Sequence, residues 1–161
     1  PFHWTALHEA AGHGSMESAE ALLDAGGDVD AMAADEETPL HIAAQEGKVE
    51  MVSLLLDRGA SLEAVNTDGE TPLMIAVQHI GAKKLDHISL LVQRRADVTS
   101  RSGAGHDALE YARIFTNRGE ELSRVLRPGS GGSADGLGGA QKPGERGEFV
   151  EKALHHACSS G

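Results

Sequence analysis

The sequence repeats itself at a fixed interval. The segment TALHEAA at residues 5–11 returns as TPLHIAA at residues 38–44 and as TPLMIAV at residues 71–77, so each copy begins 33 residues after the one before. A period of this length indicates a solenoid, in which each unit buries its apolar face only by stacking on its neighbours. The repeat therefore fixes the expected architecture and favours a binding function over catalysis.

Each copy predicts a pair of helices. A glycine follows the first helix (Gly14, Gly47 or Gly81), where a short helix can end in the left-handed conformation. Apolar residues then recur at positions i, i+3, i+6 and i+7, which places them on one face of a second helix. The members of this stripe are Met16, Ala19, Leu22 and Leu23; Val49, Val52, Leu55 and Leu56; and Leu85, Ile88, Leu91 and Val92. A polar, hairpin-like loop leads to the next copy.

The start of each copy has a structural explanation. Threonine is expected at the N-cap, and proline at the first helical position lacks only a donor that would have had no partner. A fourth copy begins 36 residues after the third, where Asp107 and Glu110 form the capping-box pattern. The three extra residues fall in 80–84, between the paired helices. These residues are therefore expected to build the fold and not to contact a ligand.

The combined pattern Thr-Pro-Leu-His-x-Ala-Ala-x-x-Gly, followed in phase by Leu-Leu-x-x-Gly-Ala, resembles the ankyrin repeat over residues 1–127. The resemblance implies an all-α solenoid of helix-turn-helix units joined by β-hairpin-like loops, with repeats at about 1–33, 34–66, 67–102 and 103–127. The sequence departs from the family pattern at several positions. Met74 and Glu110 replace the histidine, His3 and Glu36 replace the hairpin glycine, and Arg95 replaces the outer-helix glycine. Since a left-handed non-glycine residue costs about 1 kcal/mol, these corners are expected to be looser or differently turned.

The chain changes character after residue 127. Residues 128–148 hold eight glycines and few apolar side chains, which predicts a flexible linker or loop. This segment is either a loop within one array or a boundary between two. Residues 149–161 resume the pattern, with Ala153, Leu154 and His155 matching Ala6, Leu7 and His8. We expect them to be the truncated inner helix of a further repeat, and the sequence to be a piece of a longer protein.

Charge is distributed unevenly along the chain. The formal net charge is −11, and residues 1–70 hold 15 acidic residues against Lys48 and Arg58. An acidic surface repels nucleic acid and anionic membranes, so neither is expected as a partner, whereas a protein with a basic patch is favoured. The alternative is that the acidic residues only keep the surface solvated.

Patterns that carry chemistry are not found. The sequence contains no His-Glu-x-x-His, Cys-x-x-Cys, calcium-loop, phosphate-loop or Gly-x-Ser-x-Gly pattern, so we predict no catalytic residue, metal or cofactor. His155, His156 and Cys158 come nearest to a cluster, but adjacent residues on a helix point in different directions. The lone cysteine suits a reducing compartment, so a cytoplasmic or nuclear monomer is expected.

The resemblance also implies where a partner binds. Ankyrin partners generally dock on the concave side, formed by hairpin tips and the exposed ends of inner helices. The corresponding tip residues are Trp4, Asp35, Glu37, Thr67, Asp68, Glu70 and His106, and the corresponding helix-end residues are His13, Gln45, Glu46, Gln78 and His79. Of these, five acidic side chains are expected to form one stripe: Asp35, Glu37, Glu46, Asp68 and Glu70.

Trp4 is the sharpest candidate, because exposed tryptophan is a typical interface anchor. Alternatively, it packs beneath a preceding repeat. The function that we predict is a non-catalytic protein-interaction module. Two alternatives stay open: a regulatory or targeting arm of a larger enzyme or channel, and a structural spacer.

Overall fold

The computed structural model describes residues 4–81 and 85–127, and these residues form eight α-helices and no strand. In chain order the helices are α1 (Ala6–His13), α2 (Met16–Asp24), α3 (Pro39–Glu46), α4 (Val49–Asp57), α5 (Pro72–Gln78), α6 (Asp86–Gln93), α7 (Ala108–Phe115) and α8 (Gly119–Val125). The all-α prediction is confirmed. The predictions for His3, the segment 128–148 and the helix at 149–161 lie outside the described residues, as do residues 82–84 of the segment 80–84 that holds the predicted insertion.

The helices form four consecutive pairs, each packed on the next. The inner helices α1, α3, α5 and α7 lie in one row, and α4, α6 and α8 pack in a second row behind them. The core lies between the two rows and is almost entirely aliphatic. Its largest fully buried apolar side chains are Leu40, Met51, Leu55, Leu73, Met74, Ile80, Ile88, Leu91, Leu122 and Leu126. Each predicted repeat contains one pair, while the repeat boundaries remain predictions.

The inner helices begin as their sequences predict. Thr38 is the extended N-cap of α3, and its backbone N–H donates to Nδ1 of His41 at 3.1 Å. Thr5 and His8 repeat this arrangement in α1. In α7 the Asp107 carboxylate accepts from the backbone N–H of Glu110, and the Glu110 carboxylate accepts from that of Asp107. These bonds satisfy N–H groups that a helix end leaves without intrahelical partners.

Ion pairs join the outer edges of neighbouring repeats. Arg58 contacts Asp24 at 2.8 Å, and Arg94 contacts Asp57 at the same distance one repeat later. Exposed pairs of this kind contribute about 0–1 kcal/mol each. They therefore support the stacking without dominating its energetics.

Two turns keep a left-handed residue although the residue is not glycine. Glu36 has a φ of 59° and Arg95 has a φ of 72°. Gly69, which holds in the next loop the position that Glu36 holds in its own, has a φ of 71°. The backbone N–H of Glu36 donates to Ala33, as that of Gly69 donates to Asn66. The expectation that these corners would be differently turned is therefore wrong, because the surrounding hydrogen bonds hold the same turn.

Glu36→Gly is accordingly expected to stabilise the protein. Glycine occupies the left-handed region without a steric penalty, and after its larger loss of backbone entropy we expect a gain of about 0.5–1 kcal/mol in the free energy of unfolding. Urea unfolding followed by circular dichroism measures it. Glu36→Gln is the control, since it removes the same charge and keeps the Cβ atom. A lower urea midpoint for Glu36→Gly than for Glu36→Gln would show that Glu36 is not strained.

Candidate protein-interaction surface

Three hairpin-like loops, at residues 33–37, 66–70 and 102–106, precede α3, α5 and α7. Each is closed by a backbone hydrogen bond between its first N–H and its last carbonyl, at 2.9, 3.1 and 2.9 Å in chain order. The loops are also bonded to one another. The Thr67 N–H donates to the Asp35 carbonyl at 3.0 Å, and the Gly103 N–H donates to the Asp68 carbonyl at 2.7 Å. We call these three loops the loop row.

The last of these contacts requires glycine. A Cβ atom on Gly69 would lie 2.7 Å from the backbone nitrogen of Gly103, and one on Gly103 would lie 2.8 Å from the Asp68 carbonyl oxygen. Real Cβ atoms do not approach so closely, so a side chain here would push the loops apart. The second and third loops can therefore stack directly, backbone against backbone.

Histidines tie the loop row to the inner helices. Nε2 of His8 lies 2.9 Å from the Glu37 carbonyl oxygen, and Nε2 of His41 lies 3.1 Å from the Glu70 carbonyl oxygen. Because Nδ1 accepts from the threonine N–H, the Nε2 atom carries the proton and donates. Each imidazole thus links one repeat to the loop of the next.

His41 should make stability depend on pH. Burial lowers the pKa of His41 below its usual 6.5, although its bond to Glu70 and the nearby Asp30 charge act in the opposite direction. The folded state therefore keeps the imidazole neutral, whereas the unfolded chain takes up a proton below that pH. The stabilisation is present above about pH 6.5 and is lost as the pH falls, by at most about 1.4 kcal/mol per pH unit.

The measurement is the urea midpoint of the native protein and of His41→Met between about pH 7.5 and pH 5.5. The native midpoint should fall more steeply, because only the native protein carries this buried imidazole. Parallel pH profiles for the two proteins would contradict the assignment.

Most of the predicted contact residues lie at the surface. Exposed tip side chains are Trp4, Asp35, Thr67 and Asp68, and exposed helix-end side chains are His13, Glu46 and His79. Half-buried side chains are Glu37, Gln45, Gln78 and His106. Ten of these eleven residues belong to two sets at matching positions: the loop row, and the ends of α1, α3 and α5 with His79, which directly follows α5. Trp4 lies just ahead of α1.

The family model described as ankyrin repeats (three copies) matches residues 7–102. The chain belongs to the ankyrin repeat family. Ankyrin repeats generally act as protein–protein interaction modules and are typically not catalytic. The helix pair α7 and α8 continues the ankyrin array beyond the matched residues. A comparison with curated proteins gives no significant match.

Within the ankyrin loop row, Glu70 lies differently from the exposed position that the sequence predicted. Its side chain is only 8% exposed. The carboxylate accepts hydrogen bonds from the Tyr111 hydroxyl at 2.5 Å and from the Asn66 amide at 3.3 Å. Glu70 is therefore engaged inside the ankyrin array, and the predicted acidic residues that remain accessible are Asp35, Glu37, Glu46 and Asp68.

Negative charge is concentrated around Glu37. Partial burial raises the pKa of the Glu37 carboxyl, and the nearby charges of Asp35 and Glu70 raise it further. The pKa responds in this direction because a carboxylate is harder to ionise beside others of the same sign. A cation placed near these groups would relieve that repulsion.

Trp4 is partly held by its own repeat. Its side chain is 49% exposed, its Nε1–H donates to a Glu9 carboxylate oxygen at 3.0 Å, and its ring lies 5.1 Å from that of His8. These contacts orient the indole while leaving about half of it accessible. They are compatible both with binding a partner and with packing against a preceding repeat.

Two surface residues were missed by sequence reasoning. Ile114 and Phe115 are the last residues of α7 and are 56% and 51% exposed. They occupy the positions of Gln78 and His79, but no glycine follows α7 and its end was not marked in the sequence. The offset of 36 residues between the third and fourth copies would have located them.

Membrane-spanning helices and metal-binding clusters are not found among the described residues. Within residues 4–81 and 85–127, no helix combines the length and apolar character needed to cross a bilayer. In that same part of the chain, no three His, Cys, Asp or Glu side chains cluster closely enough to hold a metal ion. The candidate protein-interaction surface consists of the loop row and the inner-helix ends.

Proposed function

We propose that this ankyrin array is a non-catalytic scaffold that binds a partner protein through the loop row and the adjoining inner-helix ends. The observation that carries the proposal is the set of accessible acidic side chains on this surface, with Asp35, Glu37 and Asp68 on the hydrogen-bonded row of loops and Glu46 at the end of α3. We call these four residues the acidic stripe. Lysine and arginine side chains are its natural complement. The preferred partner is therefore a protein with a basic patch.

The mechanism is preorganised display. Bonds between the loops and from His8 and His41 hold the backbone of the row in place before a partner arrives. Little ordering entropy is then lost on binding, and little conformational change is expected. The charges mainly accelerate association and select the partner. We further propose that the array acts as a monomer in the cytoplasm or nucleus, in keeping with its single cysteine.

Charge-matched variants test this proposal. The loop variant neutralises the stripe with Asp35→Asn, Glu37→Gln, Glu46→Gln and Asp68→Asn. The control removes the same number of charges from exposed positions of the outer helices with Glu17→Gln, Glu20→Gln, Glu50→Gln and Asp86→Asn. Both variants must first match the native circular dichroism.

The measurement is affinity capture from lysate of the source cell, followed by titration of the captured protein. Exposed charge pairs contribute about 0.2–1 kcal/mol each, so the loss of four should make the loop variant bind at least about fourfold more weakly than the native array. The control should bind within about twofold. Equal capture by the native array and the loop variant, or no capture at all, would reject the acidic surface and favour a spacer or an arm of a larger protein.

A further inference from the structure

The candidate surface changes from polar to apolar in its last described repeat. Ile114 and Phe115 are large, apolar and more than half exposed. The residues at the same two positions are Gln45 and Glu46 in α3, and Gln78 and His79 in α5. An acidic and polar surface therefore ends in an apolar one.

Phe115, at the apolar end of the surface, packs on a buried aromatic side chain. The ring of Tyr111 stacks on that of Phe115 with centroids 5.3 Å apart and planes 23° apart. Tyr111 is only 4% exposed, and its hydroxyl is bonded to the buried Glu70. His106 meets the Tyr111 ring edge-on at 6.1 Å. Phe115 is thus oriented by a buried ring instead of moving freely at the surface.

Beside Phe115 there is room for another side chain. Phe115 lines an open depression together with Gly81, Thr116, Asn117 and Arg118. An aliphatic or aromatic side chain placed there would bury apolar area on Phe115, at roughly 25 cal/mol per Å². Aromatic pairs add about 0.5–1.5 kcal/mol beyond that burial.

We propose that the partner segment is an extended peptide that combines basic residues with one large apolar residue, the latter packed on Ile114 and Phe115. This inference rests on the proposed function and specifies its partner. The basic residues lie along the stripe of Asp35, Glu37, Glu46 and Asp68. The apolar residue lies one to two repeats further along the array.

Spacing within the peptide follows from the packing. Neighbouring helices lie about 8–10 Å apart, so one to two repeats correspond to roughly 10–20 Å across the array. The acidic loops precede their inner helices whereas Ile114 and Phe115 end α7, which adds about 12 Å along the helix axis and makes the separation roughly 15–23 Å. An extended chain covers about 3.3 Å per residue, which places the apolar residue on the order of five to seven residues from the basic ones. Charge selects this occupant over a second copy of the chain, whose net charge of −11 would be repelled by the stripe.

The experiment selects peptides from a display library of random 12-residue sequences on the full chain. Three proteins are compared: the native chain, Ile114→Gln with Phe115→His, and Asp35→Asn with Asp68→Asn. The first variant installs the side chains of the preceding repeat at two exposed positions, so its fold should be kept. Ile114→Gln alone is the fallback should the Tyr111 stack prove necessary for folding.

Selection on the native chain should enrich peptides that contain both basic residues and one large apolar residue at the expected spacing. Selection on the apolar variant, Ile114→Gln with Phe115→His, should still enrich basic residues but no longer enrich a large apolar residue. Selection on the charge variant, Asp35→Asn with Asp68→Asn, should still enrich the apolar residue but no longer enrich basic residues. Selected peptides should lose at least about twofold in affinity for either variant. An unchanged selection on the apolar variant alone would overturn this inference and leave the proposed function standing. Unchanged selection on both variants would overturn both.

Two other occupants are detectable in the same system. Self-association in analytical ultracentrifugation that disappears with Phe115→His would assign the apolar end to a second copy. Apolar peptides selected by a Leu154→Ser chain but not by the native chain would assign it to residues 149–161. Either result would overturn the proposal.

Discussion

Replacing Met51 with alanine should lower the free energy of unfolding by about 2–5 kcal/mol. Met51 lies on α4 and is fully buried between the helix rows, so its truncation leaves a cavity that the surrounding side chains fill only in part. A domain of this size has a total stability of about 5–15 kcal/mol, which makes the expected loss a large share of it. Urea unfolding followed by circular dichroism measures the change.

Met32 provides a control with the same chemical change. It lies in the loop between α2 and α3 and is exposed, so Met32→Ala should alter stability by less than about 0.5 kcal/mol. If the two variants unfold at the same urea concentration, then Met51 does not lie in the core and the packing described above is incorrect.

The second large effect is expected at His41. Methionine occupies the equivalent position in the third repeat, as Met74, so His41→Met inserts a side chain that this helix position accepts. The substitution removes the bonds to the Thr38 N–H and the Glu70 carbonyl, both buried. Each buried group left unsatisfied costs about 1–3 kcal/mol, so a total loss of about 2–6 kcal/mol is expected for the two.

The same urea titration measures this loss. His79→Met, on an exposed side chain just after α5, serves as the comparison and should change stability by less than about 0.5 kcal/mol. Similar midpoints for the two variants would mean that the inter-repeat bond of His41 does not contribute to stability.

The fold was predictable because its determinants are local and repeated. Thr5 and Thr38 cap helices, Gly14 and Gly47 end them, and the apolar stripes identify the buried faces, all within one period of the sequence. Three in-phase copies make a chance match implausible. The helix pairs and their order follow from these residues alone.

The surface was less predictable because it depends on contacts between distant residues. Glu70 lies at a tip position by register, and its burial depends on Tyr111, which is 41 residues further along the chain. Phe115 was missed because the glycine that follows the other inner helices in the sequence is missing after α7, so that only the 36-residue offset of the fourth copy marks its position. Glu36 keeps a left-handed conformation because backbone hydrogen bonds within its loop hold it there. The conformational propensity of a single residue does not include the effect of such bonds.

His8 and His41 each bond to the loop of the next repeat, but the third repeat has Met74 at this position and cannot form such a bond. The third and fourth repeats are therefore joined in another way. Their loops meet through the Gly103 N–H and the Asp68 carbonyl, and Tyr111 reaches back to Glu70. A peptide that contacts both Asp68 and Phe115 would bridge the third and fourth repeats. Its binding energy would then resist hinging between the last two repeats, and the occupied array should be mechanically stiffer at that joint than the free one.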